Sequence, residues 1–216
     1  MERILDIILP AIPQTLVMVF ASTAIALLIG MPLGVILTIT RPGGLSESNS
    51  FYSFLDGLIN ILRSFPFVIL MIVVFPLSRL IVGKSYGTAA MIIPLSISAA
   101  PFVARLMEGY FMQVDHGIIE AAESMGSTKK EIIFKVLIPE AMPMIVGAIT
   151  MTIINVIGYS AMAGVMGGGG LGDVANRYGY QRNEPLILWP AVVVIIIFVQ
   201  IVQFVGNKIA DKIDKR

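Results

Sequence analysis

The run Glu120-Ala121-Ala122-Glu123-Ser124-Met125-Gly126 lies between two long apolar stretches, and the polar segment that contains it closes at Ile138-Pro139. We call this segment, residues 115–139, the island. It holds most of the charge in the middle of a chain that otherwise contains few charged residues. Its amino acids favour helix up to Ser124, and Gly126 permits the left-handed or turn conformation that ends a helix. The sequence therefore predicts a water-facing helix that ends in a tight turn.

A second helix is predicted directly after this turn. Ser127 or Thr128 can cap its N-terminus, and Glu131 adds a favourable negative charge in its first turns. Ala121 and Ala122 are small, so the first helix can lie close against another surface. The two helices together are expected to form a hairpin that fills a groove in a partner protein. A helical loop without a partner is the alternative.

Apolar residues dominate the rest of the chain. Hydrophobic residues make up 56% and charged residues 13%, whereas soluble domains average about 25% charged residues. Four uncharged runs reach the roughly 20 residues that cross a bilayer as a helix: Ile7–Thr40, Ser85–Ala104, Ala141–Gly172 and Pro185–Asn207. A fifth span, Gly57–Leu80, fits if Arg63 and Arg79 extend to the polar boundary. Because backbone groups in lipid must hydrogen-bond internally, we predict an all-α integral membrane protein with five transmembrane helices.

The spans are expected to form one transmembrane domain with short ends. We place an external N-terminal end at residues 1–11, the transmembrane domain at 12–207 and a cytoplasmic tail at 208–216. Within the first span, about Ile12–Thr40, we expect interruptions at Pro13 and at Gly30-Met31-Pro32-Leu33-Gly34. Small-residue pairs, Gly30 with Gly34 and Gly164 with Gly168, offer close helix contacts, which favours association of two copies.

The distribution of lysine and arginine orients these spans, because cytoplasmic loops of membrane proteins carry the excess of positive charge. Nine cations share the side of the island: Arg41, Arg105, Lys129, Lys130, Lys135, Lys208, Lys212, Lys215 and Arg216. Five lie on the opposite side: Arg3, Arg79, Lys84, Arg177 and Arg182. The count predicts a cytoplasmic island, a cytoplasmic C-terminus and an external N-terminus.

Residues that are missing from the sequence exclude several kinds of chemistry. The chain has no cysteine and one histidine, His116, which excludes disulfides, thiolate metal sites and a histidine metal cluster. It contains no G-x-x-x-x-G-K-[ST] sequence, so ATP must be handled by another polypeptide. Gly167, Gly169 and Gly172 fit G-x-G-x-x-G, but they follow a membrane span and lack the acidic residue of a dinucleotide site. Close helix approach or a flexible external gate is the better interpretation of these glycines.

Polar residues in the fourth span are the best candidates for a substrate pathway. Asn155, Tyr159 and Ser160 stand in an otherwise apolar helix, where an unsatisfied polar group is costly. We assign Tyr159, Ser160 and Met162 to the pathway because this stretch leads into the external glycine-rich segment. For Asn155, hydrogen bonding between helices is an equal alternative.

Charged residues near the spans are few. Arg63 stands at the cytoplasmic end of the second span. Its side chain either extends to lipid phosphate or forms a functional ion pair. Arg105 and Glu108 are three residues apart, so they can pair on one helix face near the island. No paired carboxylates or Ser/His/Asp set lies within the predicted spans, which argues against a membrane-embedded protease or a proton-driven pump.

The island resembles the EAA loop of bacterial ABC importer permeases, a helical hairpin that docks onto a separate ATPase. That pattern runs Glu-Ala-Ala, three residues, Gly, nine residues and then Ile-x-Leu-Pro. Glu120-Ala121-Ala122 and Gly126 match it, and Val136-Leu137-Ile138-Pro139 follows at the required spacing. Four further stretches resemble the methionine-importer permease subfamily: Asn60–Phe67, Ala99–Arg105, Gly158–Met162 and Arg177–Gln181.

The resemblance implies the type I ABC importer permease fold in the bacterial inner membrane. It implies a homodimer that works with two copies of a cytoplasmic ATP-binding subunit and with an extracytoplasmic substrate-binding protein or lipoprotein. ATP and magnesium would be bound by the partner ATPase, with no cofactor, metal or nucleic acid bound by this chain. The residues implied in coupling to the ATPase are Glu120, Ala121, Ala122, Gly126 and Pro139. The implied substrate is methionine in its L- and D-forms; another amino acid, a small peptide or a passive channel is the alternative.

Overall fold

The computed structural model describes residues 2–214; Met1 and two of the cations assigned to the cytoplasmic side, Lys215 and Arg216, lie outside the described residues. All regular secondary structure within residues 2–214 is helical. In chain order the elements are α1 (Glu2–Thr40), α2 (Asn49–Ser64), α3 (Phe67–Val82), α4 (Thr88–Phe111), α5 (His116–Ser124), α6 (Lys129–Glu131), a π-helical segment (Ile132–Leu137), α7 (Ile138–Glu140), α8 (Met142–Ala163), a second π-helical segment (Gly164–Gly168), α9 (Gly170–Val174), a third π-helical segment (Ala175–Gln181) and α10 (Pro185–Ile213).

Four helices are long and apolar enough to cross a membrane: α1, α4, α8 with its π-helical extension, and α10. The pair α2 and α3 makes a fifth span only if the two are counted as one broken span, because their axes meet at 104°. The predicted single span Gly57–Leu80 is therefore wrong as a straight helix. The break falls at Phe65, which is extended (φ −70°, ψ 125°) before Pro66. A proline disfavours the helical conformation of the residue before it, and this explains the position of the break.

α1 contains no break, contrary to the interruptions expected at Pro13 and at Gly30–Gly34. It runs from Glu2 to Thr40 through Pro10, Pro13 and Pro32. The residues assigned to a separate N-terminal end, 2–11, are its first turns. Membrane helices tolerate proline because neighbouring helices and local adjustments satisfy the freed backbone groups.

The core is centred on the contact between α1 and α4, the most extensive helix pair in the fold. Gly30 and Gly34 lie at this contact. A Cβ atom on Gly30 would be 2.5 Å from the carbonyl oxygen of Ala100, and one on Gly34 would be 2.5 Å from Cβ of Met107. Both glycines are thus used inside one chain. Their role in the association of two copies, expected from the sequence, is replaced by packing within the chain.

Replacement of Gly34 by valine is expected to destabilise the fold by about 1–3 kcal/mol, because the new side chain overpacks the contact between α1 and α4. Thermal unfolding of the purified protein in detergent measures this loss. Gly109→Val is the matched control, since a Cβ atom at Gly109 meets nothing within 4 Å. Equal unfolding temperatures for the two variants would contradict the packing explanation.

Contacts between distant parts of the chain define the two ends of the fold. At one end, Lys129 Nζ donates to Ser46 Oγ at 3.4 Å, which brings the connection after α1 next to the island. At the other end, Arg3 pairs with Glu184 at 3.0 Å, which joins the N-terminus to the connection before α10. Each contact therefore joins segments that the charge count assigned to the same side.

Candidate functional site

The turn of the island forms as the sequence predicts. α5 ends at Ser124, and Gly126 has a left-handed φ of 83°. The amide of Ser127 donates to the carbonyl oxygen of Ala122 at 3.1 Å, and the amide of Gly126 donates to that of Glu123 at 2.9 Å. This pair of hydrogen bonds is the Schellman motif, in which a left-handed residue closes the helix. Gly126 supplies that residue because glycine has no Cβ atom to oppose a positive φ.

The second arm of the hairpin begins at a capping box. Thr128 Oγ1 accepts a hydrogen bond from the amide of Glu131 at 3.3 Å, and the Glu131 carboxylate accepts one from the amide of Thr128 at 3.1 Å. Hydrogen bonds from Lys135 and from Thr128 lower the pKa of Glu131 from 4.5 to about 2. Because the folded pKa is depressed, this stabilisation is complete above about pH 4.5 and is lost as the pH falls towards 2. The cap is therefore fully charged at physiological pH.

Pro139 lies in a continuous helical run rather than at the start of the next span. The π-helical segment precedes it, and the amide of Ile138 donates five residues back to Ile133. Proline cannot donate a backbone hydrogen bond, so the widened turn lies next to the position where the α-helical ladder loses a donor. The short α7 (Ile138–Glu140) follows the π-helical segment without a loop.

The surface of the hairpin combines carboxylates with exposed apolar side chains. Ala122 is buried, whereas Glu120, Ala121 and Glu123 are exposed. Glu120 accepts from His116 Nδ1 at 3.0 Å if that nitrogen is protonated. Two large apolar side chains of the hairpin are also open to solvent, Met125 at 80% and Phe134 at 68%. Apolar side chains exposed in a polar rim are typical of a protein contact surface.

One face of α8 carries most of the candidate pathway residues. Met151, Asn155, Tyr159 and Met162 recur at helical spacing; the two methionines are exposed, and Asn155 and Tyr159 are half-buried. The Tyr159 ring stacks on Phe67 of α3, with ring centroids 4.6 Å apart. Ser160 lies on another face: it is buried, and its hydroxyl donates to the carbonyl oxygen of Ile157 at 2.7 Å. The structure therefore brings Tyr159 and Met162 to one surface and does not bring Ser160 there.

A cavity of about 230 Å³ lies where the break between α2 and α3 meets α4 and α8. We call it the break cavity. Its lining residues are Leu62, Arg63, Phe65, Ser98, Phe102, Asn155 and Tyr159. Sequence reasoning singled out Arg63, Asn155 and Tyr159 separately and missed Ser98. The available signal for Ser98 was its spacing of four residues from Phe102 on one face of an apolar helix.

A polar network joins α2 to α4 near the island. Arg105 donates to Glu108 Oε2 at 2.6 Å, as the spacing predicts, and Arg105 also pairs with Asp56 of α2. Tyr52 donates to the other oxygen of Glu108 at 3.0 Å, and Asn60 accepts from Arg105 at 3.0 Å. The α2 members were missed, although their spacing of four residues places them on one helix face.

The glycine-rich segment is held in place by hydrogen bonds to α1 and α4. Gln14 accepts from the amide of Gly170 at 2.7 Å, and Thr88 donates to the carbonyl oxygen of Gly168 at 3.2 Å. A Cβ atom on Gly164 would be 2.5 Å from the amide nitrogen of Asp173. Close approach of backbones, one of the two expected interpretations, therefore applies here. Gly164 and Gly168, like Gly30 and Gly34, therefore make their close contacts within one chain.

The sequence profile of the family described as binding-protein-dependent transport system inner membrane component matches residues 30–216. The chain belongs to this family. Among its relatives is a protein from Vibrio cholerae serotype O1 named probable D-methionine transport system permease protein MetI. It is 47% identical over 211 residues, which cover 98% of this chain and 94% of the relative. The D-methionine transport system permease protein MetI of Escherichia coli K12 is 42% identical over 163 residues, or 76% of this chain and 75% of the relative.

Solved structures place this family member in the type I importer permease fold. A chain of the inward-facing MetNI methionine ABC transporter superposes with a TM-score of 0.98, at 39% identity and full coverage of both chains. A chain of an amino acid ABC transporter crystallised with histidines superposes with a TM-score of 0.71 at 20% identity, over 94% of this chain and 90% of that chain. The second likeness shows the shared fold alone.

Proposed function

We propose that this chain is the membrane-spanning permease subunit of an ATP-driven importer for methionine, in its L- and D-forms. The observation that carries the proposal is the 47% identity to a relative named as a D-methionine permease, over nearly the whole length of both chains. The TM-score of 0.98 to a MetNI transporter chain supports it. Another amino acid or a small peptide is the alternative substrate in the same family.

The assembly that we propose is a homodimer of this chain with two cytoplasmic ATP-binding subunits and an extracytoplasmic binding protein or lipoprotein. The exposed face of α8 supports the dimer. Polar groups such as Asn155 and Tyr159 are costly when they face lipid, so this face suits a second copy and the pathway between the copies. ATP and magnesium belong to the partner subunits, and this permease hydrolyses no nucleotide itself.

For the topology we propose five spans in the bacterial inner membrane, with α2 and α3 as one broken span, an external N-terminus and a cytoplasmic C-terminus. The transmembrane domain would occupy residues 12–207, after an external end at 1–11 and before a tail at 208–216. The excess of cations at the end of the fold that carries the island supports this orientation.

Coupling to the ATPase is assigned to the hairpin of the island. In this proposal Glu120, Ala121 and Met125 contact the partner, Ala122 packs the hairpin together, and Gly126 sets its turn. Pro139 lies where the hairpin continues towards α8. When ATP closes the partner dimer, the hairpin transmits that movement to the spans, so that the pathway lined by Tyr159 and Met162 alternates between its two openings. Ser160, given its bond to Ile157, supports α8 from behind this surface.

Uptake by cells that lack their own methionine importer tests the substrate. With the cognate ATPase and binding protein supplied, we expect ATP-dependent uptake of labelled L-methionine that unlabelled D-methionine inhibits. Uptake that methionine does not compete for would overturn the substrate while leaving the family assignment intact. A passive channel predicts uptake without the ATPase, and copurification of a nucleotide-binding subunit with this chain would argue against it.

A further inference from the structure

The break cavity contains polar groups that the rest of the fold leaves without partners. Arg63 is exposed on the chain and forms no salt bridge or hydrogen bond with any residue within 2–214. Within the same range, the side chains of Ser98, Asn155 and Tyr159 form no hydrogen bond either, although each is only partly exposed. Polar groups in a membrane-embedded protein normally bond to neighbouring helices or to a ligand. The exposed cation and the three half-buried polar groups around one cavity suit a polar ligand in the pathway between the copies.

The charge of the cavity lining selects an anionic group on that ligand. Within residues 2–214, Arg63 is the only charged residue that lines the cavity, and no aspartate or glutamate lines it. α3 begins two residues after Phe65, so the partial positive charge of its N-terminus lies beside the same cavity. Guanidinium groups bind carboxylates in a two-pronged geometry that neutral groups do not offer.

The size and apolar surface of the break cavity suit a small molecule with an apolar side chain. Its volume of about 230 Å³ is below the roughly 300–1,000 Å³ of clefts for drug-sized ligands. Leu62, Phe65 and Phe102 line it beside the Tyr159 ring, which is itself fixed by stacking on Phe67. Aromatic rings are favourable neighbours for a thioether sulfur.

We propose that the break cavity is a binding site in the permease for the transported amino acid, with the carboxylate held by Arg63. This inference rests on the proposed function, since it names where that substrate binds. Ser98, Asn155 and the Tyr159 hydroxyl offer neutral acceptors to the ammonium group, which has no carboxylate partner in the lining. The site therefore requires the carboxylate and discriminates only weakly between the L- and D-enantiomers, which is consistent with transport of both.

Equilibrium binding to the purified permease–ATPase complex, without the binding protein, tests this site. We expect labelled L-methionine to bind and unlabelled D-methionine to compete. Methioninol, which lacks the carboxylate, should compete at least roughly tenfold more weakly than L-methionine. Arg63→Gln should weaken methionine binding by roughly tenfold or more, and Arg63→Lys should lose less because it keeps the charge.

Arg79→Gln is the matched control, since Arg79 is an exposed arginine near the other end of α3 and does not line the cavity. The ATPase is unchanged in all variants, so a difference between Arg63→Gln and the control reports on the permease alone. Equal binding by these two variants, equal competition by methioninol, or no methionine binding by the wild-type complex at millimolar concentrations would overturn the inference. If the wild-type transporter imports methionine while the site fails these tests, only this inference falls. If the wild type imports no methionine, the proposed function falls as well.

Discussion

Gly126→Val should abolish ATP-dependent import while the chain still inserts into the membrane. The residue has a φ of 83°, which a β-branched side chain adopts only at a cost of about 1–3 kcal/mol. A Cβ atom at Gly126 meets nothing within 4 Å, so the penalty comes from the backbone and not from a clash. The turn opens, the Schellman hydrogen bonds are lost, and the hairpin no longer fits its partner. Uptake of labelled substrate, with membrane content measured by immunoblot, gives the result.

Gly126→Asn tests whether the hairpin needs the positive φ at this position or needs glycine itself. Asparagine visits the left-handed region more readily than other residues with a Cβ atom, so this variant should keep a substantial part of the uptake. Normal uptake by Gly126→Val would remove the turn from the coupling mechanism. Complete loss in both variants would show that the surface needs glycine itself and not its φ.

Arg105→Gln should be the most destabilising change near the island, at about 3–5 kcal/mol. The Glu108 side chain is 3% exposed, and Arg105 neutralises it while also holding Asp56 of α2. Without the guanidinium, a buried carboxylate loses its charged partner, and α2 loses its attachment to α4. The effect is measured by thermal unfolding of the complex in detergent, with release of the ATPase as the signal.

Two further variants serve as controls for Arg105→Gln. Lys135→Gln breaks an exposed pair with Glu131 and should change the unfolding temperature little, since such pairs contribute about 0–1 kcal/mol. The double variant Arg105→Gln/Glu108→Gln should recover part of the lost stability, because the uncompensated carboxylate is gone. A similar unfolding temperature for Arg105→Gln and Lys135→Gln would contradict a structural role for the network.

The sequence predicts the hairpin well because its determinants are local. Gly126 ends one helix and Thr128 caps the next, and both effects act within a few residues of the chain. The ion pair between Arg105 and Glu108 is predictable for the same reason, since helical spacing alone brings the two side chains together. The apolar runs likewise locate α1, α4, α8 and α10, because length and composition decide whether a helix can cross a bilayer.

Other features depend on neighbours that lie far along the chain. Nothing near Gly30 in sequence reveals that Ala100 and Val103 occupy the space beside it, so its use within one chain was missed. Ser160 and Tyr159 are adjacent polar residues in one apolar span, and only the packing around α8 shows that the Ser160 hydroxyl is buried whereas the Tyr159 ring is half-buried. The break cavity is likewise invisible in the sequence, because Arg63, Ser98 and Asn155 come from three different helices. Pro66 signals a break after α2 but gives no angle for it.

The continuity of the second arm of the island with α8 has a mechanical consequence. Across Ala141, whose backbone stays close to helical at φ −79° and ψ −1°, hydrogen bonds run from Ala141 to Leu137 and from Ile145 to Ala141. Backbone hydrogen bonds therefore continue from the second arm of the island into α8 without an intervening loop. A tilt of the hairpin would therefore be passed directly to α8, which carries Asn155 and Tyr159. In the proposed mechanism, how far the pathway opens for a given movement of the ATPase would then depend on how little this helical run bends.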